Sequence, residues 1–75
     1  MIVKVKYQTM EQNEENQPVM VIKEDVIETK NFNLKEAVDV LTGQKRDEHG
    51  NNIQGIMVGE KNYYRAIDVT NISVE

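Results

Sequence analysis

The residues best suited to chemistry in this 75-residue chain are aromatic and cationic side chains near its two ends. They are Lys4, Lys6, Tyr7, Tyr63, Tyr64 and Arg65. If the first and last strands are neighbours, these side chains share one sheet, which could stack a base or a nucleotide and attract phosphate. Because tyrosine is also a common strand residue, contact with another protein and a purely structural role are the alternatives.

A second candidate is the acid-rich segment 10–17, which holds Glu11, Glu14 and Glu15. A row of carboxylates can mimic phosphate groups and occupy a basic groove on another protein. A solvated hairpin loop has the same composition, so the segment predicts either a partner contact or a mobile loop.

The sequence lacks the residue sets that metal binding, phosphate-binding loops and nucleophilic catalysis require. His49 is the only histidine and cysteine is absent, whereas a metal site needs several converging ligands. Gly50, Gly55 and Gly59 do not precede a helix as a phosphate-binding loop would. Ser73, the only serine, has no histidine near it in the sequence. We therefore predict no catalytic residues, no metal site and no cofactor.

Composition narrows the possible partners. The formal net charge of −4 disfavours binding to a phosphate backbone. Hydrophobic residues make up 39% and charged residues 29%, which is typical of a globular domain. No apolar run approaches the ~20 residues of a membrane helix, and no signal peptide is recognisable. These features predict a cytoplasmic protein without membrane contact, whose partner is another protein or a second copy of itself, with a small ligand as a further option.

The first half of the chain predicts two strands joined by a hairpin loop. Residues 1–9 alternate, with Val3, Val5 and Tyr7 on one face, which indicates a half-buried strand. Residues 19–29 form a second strand in which neither alternation is clean. A bulge near residues 23–25, or a strand that leaves the core there, would explain the broken pattern.

The middle of the chain predicts one helix over residues 34–42. Asn33 suits the N-cap position, with Glu36 completing a capping box, and Gly43 suits the C′ position. The expected core-facing stripe is Leu34, Ala37, Val38 and Leu41.

The last third predicts strands over residues 53–58 and 63–69, separated by a turn, after which Ile72 and Val74 either continue the last strand or start an arm that pairs elsewhere. The fold class is thus α+β, a mainly antiparallel four-stranded sheet with one short helix on one face, in the order β-β-α-β-β. The whole chain, residues 1–75, forms a single domain.

One short helix cannot cover both faces of a four-stranded sheet, so the opposite face should be exposed to solvent or contact a partner. The apolar candidates for that face are Met20, Ile22, Ile56 and Tyr64. The leading hypothesis is a non-enzymatic binding module, an inhibitor or accessory protein that acts by protein contact. The alternatives are a homo-oligomer that binds a small ligand such as a nucleotide between subunits near Tyr63, Tyr64 and Arg65, and a weak nucleic-acid binder that uses Lys4, Lys6 and Arg65. In size and element order the chain resembles small proteins of phages and mobile elements, although no motif carries that resemblance.

Overall fold

A computed structural model describes residues 1–75 as five strands, one helix and one 3-10 turn. The elements are β1 (Ile2–Gln12), β2 (Pro18–Glu28), α1 (Leu34–Leu41), β3 (Gly55–Val58), β4 (Asn62–Arg65), the 3-10 turn (Ala66–Asp68) and β5 (Val69–Val74). The strands form two antiparallel sheets, one in the order β2-β1-β5 and one a β3–β4 hairpin. The predicted α+β class, the antiparallel pairing and the single short helix are confirmed, whereas the single four-stranded sheet is wrong.

The 3-10 turn explains why the sheet divides. It interrupts the segment 63–69 that was predicted as one strand, so that β4 ends at Arg65 and β5 begins at Val69. Arg65 and Asp68 bridge the turn through two hydrogen bonds of 2.8 and 3.2 Å. After the turn the chain pairs with β1. The segment around Ile72 is therefore a strand in a different sheet from β4.

The two long strands pair without interruption. Val3 and Val5 are fully buried on the inner face of the three-stranded sheet, as the alternation predicts. The register between β1 and β2 runs unbroken from Ile2 opposite Glu28 to Gln12 opposite Pro18. Of the two explanations for the broken pattern near residues 23–25, the bulge is therefore wrong. The strand does leave the core there, because β5 reaches only to Tyr7, which lies opposite Lys23. The one irregularity lies between β1 and β5, at Lys6/Tyr7.

A bulge is unnecessary because each charge in the middle of β2 has a partner. Glu24 lies on the outer face, where its carboxylate is 4.0 Å from Lys6 Nζ. Lys23 on the inner face forms an ion pair with Glu11. The broken hydrophobic pattern thus reflects paired charges on a regular strand.

The core lies between the inner face of the three-stranded sheet and a second layer formed by α1 and the β3–β4 hairpin. Its buried residues are Val3, Val5, Ala37, Val40, Ile56, Val58 and Tyr64. The prediction that Ile56 and Tyr64 face away from the core is wrong, because the hairpin covers sheet area that the short helix cannot. Met20 and Ile22 do lie on an exposed face.

The predicted N-cap and C′ residues are confirmed, but the Glu36 side chain faces Lys45 and does not complete a capping box, and the buried face of the helix differs. Asn33 Oδ1 accepts a hydrogen bond from Glu36 N at 3.1 Å, and Gly43 has φ of 75°. The buried positions are Ala37 and Val40, whereas Leu34 and Val38 are exposed. The predicted stripe is thus correct at Ala37, partly buried at Leu41 and wrong at Leu34 and Val38, because α1 packs on β3, β5 and the 3-10 turn at one side of the core. No helix of the chain has the length and apolar character needed to cross a bilayer.

Candidate functional site

Two tyrosines from different sheets meet at the edge of the core. Tyr7 lies on β1 and Tyr64 on β4, and their ring centroids are 5.3 Å apart with the planes tilted by 53°. Offset aromatic pairs of this kind add stabilisation beyond the area they bury. Tyr64 is only 8% exposed. It is therefore part of the contact between the two layers and cannot offer its ring to a ligand.

A half-buried carboxylate joins the two hydroxyls. Tyr64 Oη donates to Asp25 Oδ2 at 2.7 Å, and Tyr7 Oη donates to Asp25 Oδ1 at 3.4 Å. Burial, followed by the hydrogen bond to Asp25, raises the pKa of Tyr64 above its usual range. Burial is also the main cause that raises the pKa of Tyr7. Both phenols consequently stay protonated at neutral pH and act as donors to a single carboxylate.

The raised phenol pKa values predict a loss of stability at alkaline pH. Unfolded tyrosines release their protons near pH 10, whereas the folded Tyr7 and Tyr64 retain theirs to higher pH. The unfolded state then binds fewer protons, so the stabilisation is complete below about pH 10 and declines as the pH rises further. Urea unfolding of wild type and Tyr64→Phe should show a steeper decline for wild type. Identical pH profiles would contradict this assignment.

The tyrosine pair borders a cleft of about 350 Å³ that lies between residues 7–9 of β1 and the β3–β4 hairpin. The cleft lining includes Gln8, Thr9, Lys61, Tyr63, Arg65 and Asp68. Arg65 is bound by Asp68, and Asp25 is bound by the tyrosines. The charges in the cleft are therefore largely satisfied within the chain, which leaves Lys61 and the ring of Tyr63 to meet a ligand.

Tyr63 forms a flat platform on the outer side of the hairpin. It lies opposite Met57, and its ring crosses to Gly55, the diagonal neighbour on β3. A Cβ atom at Gly55 would overlap the Tyr63 ring and the Tyr64 carbonyl oxygen. The glycine thus lets the ring lie against the backbone, while 58% of Tyr63 remains exposed.

The predicted cationic and aromatic residues converge only in part. Tyr7, Tyr63, Tyr64 and Arg65 border the one cleft. Lys4 and Lys6 project from the outer face of the sheet instead, where Lys4 Nζ binds Glu75 at 2.7 Å. The first and last strands are neighbours, as the hypothesis required, but the tyrosines of residues 63–64 belong to the other sheet. A common basic surface is therefore not formed.

Asp25 is the site residue whose role the sequence did not indicate. It is one of two adjacent acids in a strand, and that pattern indicates a solvated strand end as readily as a buried carboxylate. Its inner-face position depends on the register with Val5, and its hydroxyl donors come from β1 and β4. No local signal contains that information.

The second feature is a two-stranded arm, residues 8–22, at the far end of β1 and β2. β5 reaches only to Tyr7, which lies opposite Val69, so the arm has no third strand. At its tip Asn13 Oδ1 accepts hydrogen bonds from the backbone N–H groups of Glu15 and Gln17, each at 2.9 Å. The predicted loop over residues 10–17 is thus shorter than expected, because residues 10–12 continue the ladder and residues 13–17 form the turn.

The arm is acidic and apolar. It contains Glu11, Glu14 and Glu15 but no lysine, arginine or histidine. Glu11 pairs with Lys23 just beyond the arm, whereas Glu14 and Glu15 are exposed at the tip and form no ion pair. Next to the tip, the outer face of the arm carries exposed apolar residues. The three predicted glutamates therefore divide into one paired side chain and two that are free to meet a partner.

No group of three or more histidine, cysteine, aspartate or glutamate side chains is arranged to hold a metal ion. His49 lies exposed in the loop between α1 and β3, where its backbone N–H donates to Asp47 Oδ1 at 2.9 Å. Comparison with known proteins gave no match: no family model, no curated protein and no solved structure matches the chain.

Proposed function

We propose that the chain is a non-enzymatic binding module that acts by protein–protein contact, as a small inhibitor or accessory protein does. The supporting observation is the outer face of the arm, which carries Met10, Met20 and Ile22 at 55, 57 and 67% exposure. Met10 lies directly opposite Met20, and Ile22 follows two residues along the same face. A contiguous exposed apolar patch is typical of a contact surface.

The charge of the arm indicates the kind of partner surface. Glu14 and Glu15 form an acidic tip directly beyond the apolar face, and no cation within the arm offsets them. Such an arm fits an apolar groove with a basic rim on another protein. The same charge repels a phosphate backbone and an anionic membrane.

A photo-crosslinking amino acid at Ile22 tests the proposed surface. We expect this variant, in lysate of the organism that encodes the chain, to give a discrete covalent adduct that Met20→Lys abolishes. The control carries the crosslinker at Val38, which is an exposed apolar position on α1. Equal adducts at both positions, or none at Ile22, would refute the arm as the contact surface. A product of two identical chains is recognised by its mass.

The exposed ring of Tyr63 supports a second candidate function, the binding of a planar ligand such as a nucleotide. The ring is held against Gly55 and borders a cleft that also contains Arg65 and Lys61. Stacking on an aromatic ring next to a cation is a common way to hold a base.

Ligand-observed NMR with a set of nucleoside monophosphates tests this candidate. Tyr63→Ala should abolish the saturation transfer and Lys61→Ala should weaken it, whereas Tyr63→Phe should retain it. Absence of transfer in the wild-type protein, or equal transfer in Tyr63→Ala, would exclude stacking on this ring.

A further inference from the structure

The free edge of β2 is open along its whole length. At the two ends of the β1–β2 ladder, Asn13 N donates to Gln17 O and Thr29 N donates to Met1 O. Hydrogen-bonded pairs alternate in an antiparallel ladder, so the odd-numbered residues of β2 bond to β1. The even-numbered residues therefore direct their backbone groups away from β1. These residues include Met20, Ile22, Glu24 and Val26, and no strand pairs with them.

This edge has little of the protection that sheet edges usually carry. Natural edges are blocked by proline, by a bulge or by an inward-pointing charge. Here Pro18 stands at one end only, and the register of the strand is unbroken. The two inward-pointing charges of the strand, Lys23 and Asp25, are held within the chain by Glu11 and by the tyrosine hydroxyls. The run Val19–Ile22 is apolar on both faces, a pattern typical of a strand that is covered on both sides. In the single chain these residues lie in the arm, where no second layer covers them.

Two unpaired lysines and the acidic tip lie near opposite ends of β2. Six of the nine lysine and arginine side chains form ion pairs, which leaves Lys30, Arg46 and Lys61. Lys30 and Lys61 border one cavity of about 620 Å³ beside the C-terminal end of β2. Glu28 and Glu60 also border this cavity, but neither is within ion-pair distance of the two lysines. The acidic tip lies at the other end of the strand.

We infer that a second copy of this chain adds to the free edge of β2, antiparallel and about a twofold axis at Ile22. Antiparallel addition carries the tip of each copy, with Glu14 and Glu15, to the Lys30/Lys61 cavity of the other copy. The two three-stranded sheets join into one sheet of six strands. The contact uses the edge of β2, so it does not depend on the partner proposed above for the outer face.

Side-chain pairing across the new edge favours an axis at Ile22 over the next two positions along the strand. Backbone geometry requires even-numbered residues to face even-numbered residues. An axis at Lys23 or Glu24 would place two like charges directly opposite each other, which destabilises a ladder. An axis at Ile22 places the two isoleucines side by side and sets Met20 opposite Glu24 of the second copy. The tip then lies alongside Thr29 and Lys30 of that copy.

Proline substitution on the two edges of the arm tests the pairing. Ile22→Pro removes an N–H group that faces the free edge of β2 and leaves the bonds to β1 intact. Met10→Pro is the matched control, because its N–H faces the opposite edge of the arm, beyond the end of β5. Native mass spectrometry and sedimentation over a concentration series should show a dimer for the wild type. We expect Ile22→Pro to raise the dissociation constant about tenfold or more, since each copy loses an inter-strand hydrogen bond, and Met10→Pro to leave it unchanged.

Charge exchange tests the placement of the tip. One variant carries Lys30→Glu and Lys61→Glu, and the other carries Glu14→Lys and Glu15→Lys. Each should dimerise about tenfold more weakly than wild type on its own, because both tip contacts become repulsive. In the mixed dimer both contacts are attractive, so mixing should restore wild-type affinity. Lys35→Glu, a charge reversal on the exposed side of α1, should change nothing.

The outcomes are decisive in either direction. A monomer mass for the wild type up to millimolar concentration overturns the inference. A dimer that tolerates Ile22→Pro as well as Met10→Pro places the contact elsewhere and also overturns it. Failure of the two charge variants to associate with each other refutes the antiparallel placement. Circular dichroism of each variant verifies that its strands are retained, and if Ile22→Pro has lost them it is replaced by Met20→Pro, whose N–H faces the same edge.

Discussion

Tyr64→Ala should lower the free energy of unfolding by about 3–5 kcal/mol, the range for removing a large aromatic side chain from a core. A domain of this length has a total stability of about 4–11 kcal/mol. The substitution removes the ring that packs on Tyr7 and the hydroxyl that binds Asp25, so it separates the two layers at this edge. Urea unfolding followed by circular dichroism measures the loss.

Tyr64→Phe separates the two contributions. It retains the ring and removes only the 2.7 Å hydrogen bond to Asp25. We expect a smaller loss of about 1–3 kcal/mol, because a half-buried carboxylate loses its better donor. Asp25→Asn keeps the shape of the acceptor and should cost less than Asp25→Ala. If Tyr64→Phe were as damaging as Tyr64→Ala, the hydroxyl and not the ring would hold the layers together.

Val58→Asp should remove a large part of the stability of the folded state, whereas the same substitution at Met57, the preceding residue, should be nearly neutral. Val58 is 0% exposed and lies on the core side of β3, so an aspartate there would be buried without a partner. Leaving an uncompensated charge in a core costs about 3–5 kcal/mol, which is comparable with the total stability. Met57 points to the other side of the hairpin and is 51% exposed, so Met57→Asp should change stability by less than about 0.5 kcal/mol.

This adjacent pair tests the arrangement of the β3–β4 hairpin in particular. Thermal unfolding and one-dimensional NMR of both variants give the result directly. Equal tolerance of aspartate at residues 57 and 58 would mean that the hairpin does not lie over the inner face of the three-stranded sheet. Loss of folding in both variants would mean that both of its faces are covered.

Parts of the fold that depend on neighbouring residues could be predicted. The alternation of Val3 and Val5 with lysines places one face of β1 in the core without reference to the rest of the chain. Asn33 and Gly43 mark the two ends of the helix because capping is a local backbone requirement. The acidic, cation-free character of the arm is equally a property of its own sequence.

Parts that depend on distant residues could not be predicted. The stripe expected on the helix was right at Ala37 but wrong at Leu34 and Val38. Val40 is apolar as well, so the pattern alone could not choose between adjacent faces of the helix. The candidate site was predicted in part: Tyr7, Tyr63, Tyr64 and Arg65 border one cleft, but Lys4 and Lys6 lie on the other side of the sheet.

The sequence by itself determined the α+β class, the antiparallel hairpins and the single capped helix. Each of these follows from side-chain period, turn chemistry or capping within a few residues. Only the tertiary structure decided that the strands divide into two sheets, that β5 pairs with β1, and that Asp25 binds two tyrosines. These features depend on which distant parts of the chain pack together and exclude water. A short turn such as Ala66–Asp68 redirects the chain from one sheet to the other, and the local sequence pattern gives little sign of it.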